Sequence, residues 1–516
     1  MKKTLIIFMS VLMIFALTST TFVEAEEESL TIGMESDATS LDPRFVTTAS
    51  GMYITSQMYN GLIKLNKNLE YEPDLATFEN PSDTEYVFHL EEGVKFHDGH
   101  ELTAEDVEYT YESMLDKDVG SPKSGNYTNL VGAKEFRDGE ADEVEGIEII
   151  DDYTVKFEVK EPFAPFMVNM NVGIVPKHLL EDEDYDFEKN PVGTGPFKFS
   201  EREVDQETVI VDNEDYFEGR PNIDKAIYKI VPESSVGVVE LETGAIDVLM
   251  SITSDDRENI ENNDEIKLES IAGTNYNYVG FNVTNEPVDN KYLRKAIAYS
   301  LDKDAITDHF DGSRTVVPLP TSSSLTQEYE EDEKINKYEY SYQKAKEMLK
   351  KADYDGEEVT IKTSSGREEL AQIMQQYMKA AGINAEIELL EWGTFYEDVK
   401  QGKAEIYLLG WYGIIDPDAY WFFHSEMTPP DGGSNRMFYK NEKVDELIEE
   451  GRRTIDPEER KEVYGEMYQE ITDDVPMIFL YSEEDLAAYR KGIEGFEAAP
   501  YPVTILHKLK DVKITD

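Results

Sequence analysis

The sequence predicts an α/β protein of two or three lobes, and three observations carry that expectation. The chain has 516 residues, far more than one ordinary hydrophobic core supports. It is 40% hydrophobic and 11% aromatic, enough to fill several cores, so it is not a disordered chain. Its second half alternates strand-like and helix-like stretches, the order that builds a parallel or mixed sheet covered by helices.

Taken in order, residues 1–25 read as a secretory signal. Lys2 and Lys3 are the basic start, Leu5–Leu17 is the apolar segment, and Val23-Glu24-Ala25 puts small residues where signal peptidase needs them. The apolar run is too short to span a bilayer comfortably. The mature protein is therefore expected to begin near Glu26, outside the cytoplasm, in a periplasm or at a cell surface. Leu30–Met34 predicts a strand and Ser36–Pro43 a polar loop. Tyr53–Leu65 has helical spacing up to Gly61. Tyr86–Phe96 predicts a hairpin turning near Gly93, and His97-Asp98-Gly99 a further turn. Thr103 through Asp106 is a capping pattern for a helix over Ala104–Met114, with Val107, Tyr111 and Met114 on one face. Glu145–Val159 predicts two strands, and Pro191–Phe199 (PVGTGPFKF) a glycine-proline turn entering another. Val209–Val211 and Ile227–Val231 are strands, Ser235–Leu241 a helix and Ile246–Val248 a strand.

From Tyr276 the alternation becomes regular. Tyr276–Val283, Val359–Lys362, Ala385–Leu390 and Glu405–Gly410 predict strands. Tyr292–Leu301, Ser341–Ala352, Glu368–Ala381 and Thr394–Gly402 predict the helices between them. Asn441–Arg453 and Pro457–Asp473 are two more helices, and Met477–Tyr481 a late strand.

The charge balance narrows the function. There are 109 acidic and 49 basic residues, a net charge of −60, which would repel a nucleic-acid backbone. Acid runs at Glu181–Asp184, Glu328–Glu333 and Glu483–Asp485 are scattered rather than gathered in a tail. Scattered acid on a folded chain suggests a surface adapted to high salt, the alternative being a merely acidic secreted protein. On the saline reading the thermal midpoint should climb steadily from low to molar KCl, and a flat profile would end that reading. With no cysteine the chain has no disulfide, thiolate metal site, cysteine nucleophile or acylated N-terminal cysteine.

No nucleophile elbow, zinc-protease helix, phosphate loop or dinucleotide fingerprint occurs, and no catalytic residue, metal or cofactor is assigned. His97 and His100 in HDGH are weak metal candidates beside a structural turn, and His424 is a slightly better one. The sequons at Asn126 and Asn282 are expected by chance. The informative stretch is Glu388–Ser425. It holds all three tryptophans, Trp392, Trp411 and Trp421, among seven other aromatic residues. A strand ending in Gly410-Trp411-Tyr412, followed by an Asp-Pro-Asp turn, suits a ligand floor. Glycine admits a second backbone and the rings make flat walls, although core filling is the competing explanation.

Four stretches in order resemble the solute-binding proteins of ABC importers, extracellular family 5, the peptide and nickel class. They are Tyr86–Met114, Pro191–Phe199, Gly280–Ile306, and Trp392 through Gly410-Trp411. The resemblance covers nearly the whole mature chain. It implies a type II periplasmic-binding fold with a hinge and an inserted domain. Lobe I would comprise 26–59, 196–273 and 489–516, the inserted domain 60–195, and lobe III 274–488. It also implies a monomeric, non-enzymatic protein that captures a peptide or similar small solute for a membrane permease. Gly410, Trp411 and Tyr412 would offer a backbone edge to an extended peptide, with Trp392 lining the cleft.

One departure matters. Peptide binders place an Asp shortly after Gly-Trp for the ligand's amine, whereas here Ile414 follows Gly413. Asp416 is the nearest acid in that loop, the competing role being a turn cap. Arg367, at the start of a helix, is the candidate for a ligand carboxylate, against an ordinary surface arginine. Nickel-chelate or sugar binding within the same importer class, and a secreted acidic hydrolase from another class, remain the alternatives.

Overall fold

The computed structural model describes residues 28–66, 69–250, 252–310, 314–319, 325, 329, 334–413, 415–497 and 509–515. The expected leader over 1–25 and Ile414 lie outside them.

One strand ties the molecule together. Met477–Arg490 pairs antiparallel with Tyr276–Phe281 along its first part and with Ile266–Ala272 along its second. On the first side the sheet continues through Ile406–Trp411 and Glu358–Thr363 to Asn384–Leu389. On the second it continues through Val248–Leu249, Ser29–Met34, Lys225–Ile230 and Glu207–Asp212 to Phe197–Glu203. The α/β expectation holds, with helices on both faces.

Between the two parts the ladder breaks. Ala272 pairs with Glu484 and Asn277 with Tyr481, so the partner chain spends more residues crossing the gap than the long strand does. Asn275 fills it. Its amide donates to the Glu483 carbonyl at 2.9 Å and accepts from the Glu483 N–H at 2.8 Å, standing in for a backbone pair. An added Cβ on Gly273 would lie 2.5 Å from that carbonyl oxygen, so the bend is closely packed. This bend is the candidate hinge of the two-lobe fold.

Separate cores surround this frame. One draws on residues from Leu62 to Ile174 and lies under a four-stranded antiparallel sheet closed by helix Ala104–Leu115. Another gathers Leu30 to Tyr59, Val175, Phe187 and strands up to Met250 with Ala487 to Val512. Two more, one rich in Leu and Ile and one in Tyr and Phe, fill the part from Tyr276 to Tyr481. Helix Ala104–Leu115 begins as expected, with the Asp106 carboxylate accepting from the Thr103 N–H at 3.0 Å.

The glycines of PVGTGPFKF have a packing reason. The Gly195 N–H donates to the Met58 carbonyl at 2.9 Å, and a Cβ on Gly193 would sit 2.1 Å from that same oxygen. The His97 ring clamps this turn, accepting from the Gly193 N–H at 3.2 Å and reaching the Gly195 carbonyl at 3.0 Å. Burial pushes His97 down to about 4, so it stays neutral and structural.

Several elements differ from expectation. The helix expected from Tyr53 up to Gly61 runs Ala49–Met58, and Ile63–Leu65 beyond it is a strand. Asp74 stops the helix by accepting from the Gly61 N–H and the Asn60 amide. Glu85–Leu90 does not hairpin onto Val94–Phe96, because both its edges are taken by Ala76–Ser82 and Thr154–Glu158. The late strand extends past Tyr481 to Arg490, straight through the acid run, and its partner Ile266–Ala272 was not expected at all.

Candidate functional site

Strand Ile406–Trp411 is buried along most of its length, and its end opens into the cleft. There Gly410 faces Asn277 across the ladder, with Trp411 opposite Tyr276. The Arg367 guanidinium lies directly over Gly410, since a Cβ there would be 2.8 Å from Nη2. Arg367 donates to Asn277 Oδ1 at 3.2 Å, and no ion pair reaches it among the described residues. The Asn277 amide nitrogen is buried and has no hydrogen-bond partner among them. Arg367 also occupies the N-cap position of helix Glu368–Ala381 without a side-chain capping bond, and the N-terminal N–H groups there favour an anion. An unmatched cation, a buried amide donor and a helix N-terminus thus converge on one glycine.

The aromatic residues divide between wall and core. Trp411 packs edge-on against Phe422 at 4.5 Å and is partly buried. Tyr412, 62% exposed, projects toward the hinge with its hydroxyl 3.5 Å from Glu483. Trp392 is half exposed and stacks on Tyr396 at 5.5 Å. Tyr407 and Phe423 are fully buried, so for them core filling was the right reading.

Asp416, expected to meet the ligand's amine, is already engaged. Its two oxygens accept from Arg460 at 2.7 and 2.8 Å, and both side chains are largely buried. Asp418 pairs with Arg452 at 3.2 Å and is pushed up to about 6 by burial, with Arg452 opposing the shift. The Asp-Pro-Asp turn is therefore a double ion-pair clamp onto the helices that follow. His424 is buried against Tyr420, and among the described residues no group of three His, Asp or Glu side chains is arranged for a metal.

The acids that do face the cleft come from the hinge strand. Glu483 pairs with Arg314 at 3.2 Å and Glu484 with Arg257 at 2.9 Å. Asp485 has no ion-pair partner among the described residues. Burial, with Glu483 adding to it, pushes Asp485 up to about 7. It lines a cavity of about 540 Å³ together with Glu35, Tyr53, Ser234 and Tyr412. Further along, a cavity of about 210 Å³ lies between Trp411, Trp421 and Phe422 on one side and Phe163 and Asn169 on the other. Arg453 closes over this end by pairing with Glu161 at 2.9 Å, and Arg452 stacks on Phe163 and Tyr420.

The two cavities, lined by aromatic side chains and a few polar groups, have the character of small-ligand sites. The sequence profile for "Bacterial extracellular solute-binding proteins, family 5 Middle" matches residues 70–434. The chain belongs to that family. Among its relatives, the oligopeptide-binding protein AppA of Bacillus subtilis (strain 168) is 30% identical, the match covering 91% of this chain and 89% of the relative. The dipeptide-binding protein of Escherichia coli (strain K12) is 26% identical over 95% of each. The solved structure of Bacillus subtilis AppA in complex with a nonapeptide superimposes with a TM-score of 0.75 at 28% identity, covering 95% of this chain and 100% of that one. As a family 5 protein, the chain is a non-enzymatic, extracytoplasmic solute-binding component of an ABC importer, and the expected fold class and family stand.

Three features of this binding protein's cleft were not foreseen: Asn277, the acids at Glu483–Asp485, and Arg436 behind Trp411. Only the acid run left a signal, as charge directly following an apolar strand and preceding Leu486-Ala487-Ala488.

Proposed function

We propose that this binding protein captures a short peptide, held by both its ends, and delivers it to a permease. What carries the proposal is one juxtaposition. Among the described residues Arg367 has no acid partner and cavity-lining Asp485 no base, with exposed Tyr412 near both. A zwitterionic ligand satisfies both, since a buried unmatched charge is costly until something pairs it. Arg367, Asn277 and the helix N-terminus take the carboxylate. Asp485 with Glu483 takes the ammonium, the role expected of Asp416. Gly410-Trp411 supplies the backbone edge and Trp392 an outer wall. On this reading lobe I, the inserted domain and lobe III close as the three-part division above describes.

The amine assignment makes a signed prediction. Asp485 in the empty protein takes up a proton below about 7, and pairing with an ammonium requires the ionised form. Affinity for a free-amine peptide should therefore rise with pH, by on the order of tenfold between pH 5.5 and 7. An N-acetylated copy of the same peptide should bind weakly and show no such rise. Titration calorimetry across that range reads both, and tight, pH-independent binding of the acetylated peptide would remove Asp485 from the role.

A further inference from the structure

Three arginines are more than nine-tenths buried, and they differ in what satisfies them. Arg44, 6% exposed, is locked to Asp42 at 2.7 Å. Arg294, 4% exposed, donates to four backbone carbonyls, those of Val288, Asp289, Asp474 and Val475. Arg436, 7% exposed, donates to the Tyr396 hydroxyl at 2.9 Å and also meets the Tyr278 hydroxyl, and no ion pair reaches it among the described residues. A guanidinium carries five N–H donors, and the side chains that meet those of Arg436 are neutral phenols rather than a carboxylate.

The surroundings are built for a charge. The guanidinium is sandwiched 5.3 Å from the Tyr396 ring and 5.0 Å from the Trp411 ring. Such stacking offsets part of the desolvation cost of a cation but does not use its hydrogen-bonding edge. The Tyr407 hydroxyl, in the same aromatic core, is also fully buried without a partner among the described residues. Tyr396 is part-exposed and covered by half-exposed Trp392, while Trp411 lines the cavity of about 210 Å³.

We propose that Arg436 is a specificity subsite for an anionic side chain of the ligand, an Asp or Glu of a bound peptide entering beside Trp411. This rests on the peptide reading and goes beyond it, because neither end of the peptide is involved. A planar carboxylate matches the free edge of the guanidinium in bidentate fashion, and its aliphatic stem lies against the indole. The arrangement selects peptides by side chain where Arg367 and Asp485 select only for termini.

The test uses ligand-free full-length protein and a randomised tetrapeptide pool, with retained peptides identified by mass spectrometry. For the wild type, Asp and Glu should be enriched over Asn and Gln at one peptide position by about tenfold, the scale of one charge-assisted bond. In Arg436→Gln the enrichment should fall to parity while peptides are still retained. Arg436→Lys, which keeps the charge, should hold part of it and serves if the Gln variant fails to fold. Equal acid enrichment in wild type and variants, or none in the wild type, overturns the inference while leaving peptide capture standing. No peptide retained by the wild type overturns the peptide reading instead. In that event glutarate is the deciding probe: Arg436 remains an anion site only if glutarate raises the melting temperature of the wild type and not of Arg436→Gln.

Discussion

Asp416→Ala should destabilise the ligand-free protein by about 3 kcal/mol, the range for removing one partner of a buried ion pair. Arg460, its partner, is only 14% exposed at the side chain and would keep a charge with no counter-ion. Two further contacts, to the Gly451 carbonyl at 3.0 Å and the Tyr464 hydroxyl at 3.2 Å, hold the guanidinium in place and prevent it from swinging to water. The loss follows from that orphaned cation rather than from any missing attraction alone. The double change Asp416→Leu with Arg460→Met should therefore cost clearly less than Asp416→Ala. Chaotrope unfolding of the three variants measures this. A single variant within 0.5 kcal/mol of wild type, an order-of-magnitude bound for an exposed pair, would mean the pair contributes nothing, and Asp416 would return as a ligand residue.

Gly193→Ala should do comparable damage by steric means, costing about 3 kcal/mol or abolishing soluble expression. The added methyl would meet the Met58 carbonyl oxygen at 2.1 Å and the Tyr59 ring at 2.6 Å. That carbonyl cannot retreat, because it ends helix Ala49–Met58 and accepts from the Gly195 N–H. Gly93→Ala is the control. Gly93 has a φ of +79° in the left-handed region but open space around it. Its substitution should cost only the conformational strain, roughly 1–2 kcal/mol. A loss at Gly193 no larger than at Gly93 would show that packing onto Met58 does not explain the glycine in the motif.

How much of this was legible in the sequence depended on how local the cause was. Helix Ala104–Leu115 was readable because its cap and its apolar face lie within the same short segment. The strand ending at Gly410-Trp411 was readable for the same reason. The ion pair of Asp416 was not legible because its partner is 44 residues further along, and nothing near it in sequence announces Arg460. The convergence of Arg367 with Asn277 spans 90 residues and brings a helix start onto a strand, so periodicity could not show it. The hinge strand was cut short at Tyr481 because three consecutive acids look like solvated surface. In the fold they are not ordinary surface, since Asn275 and the two arginines Arg314 and Arg257 hold them at a bend.

That bend has a mechanical consequence. Glu483 and Asp485 lie on the segment about which the lobes turn, so whatever they grip sits at the fulcrum. A group bound there has almost no lever arm, and it exerts little torque on the lobes however tightly it is held. Torque comes from the far rim, where Arg453 meets Glu161 and Arg452 meets Phe163. On the peptide reading proposed above, occupancy is registered at the bend and closure at the rim. A ligand long enough to reach from the fulcrum to the rim would report both, and one that ends short of Trp411 only the first.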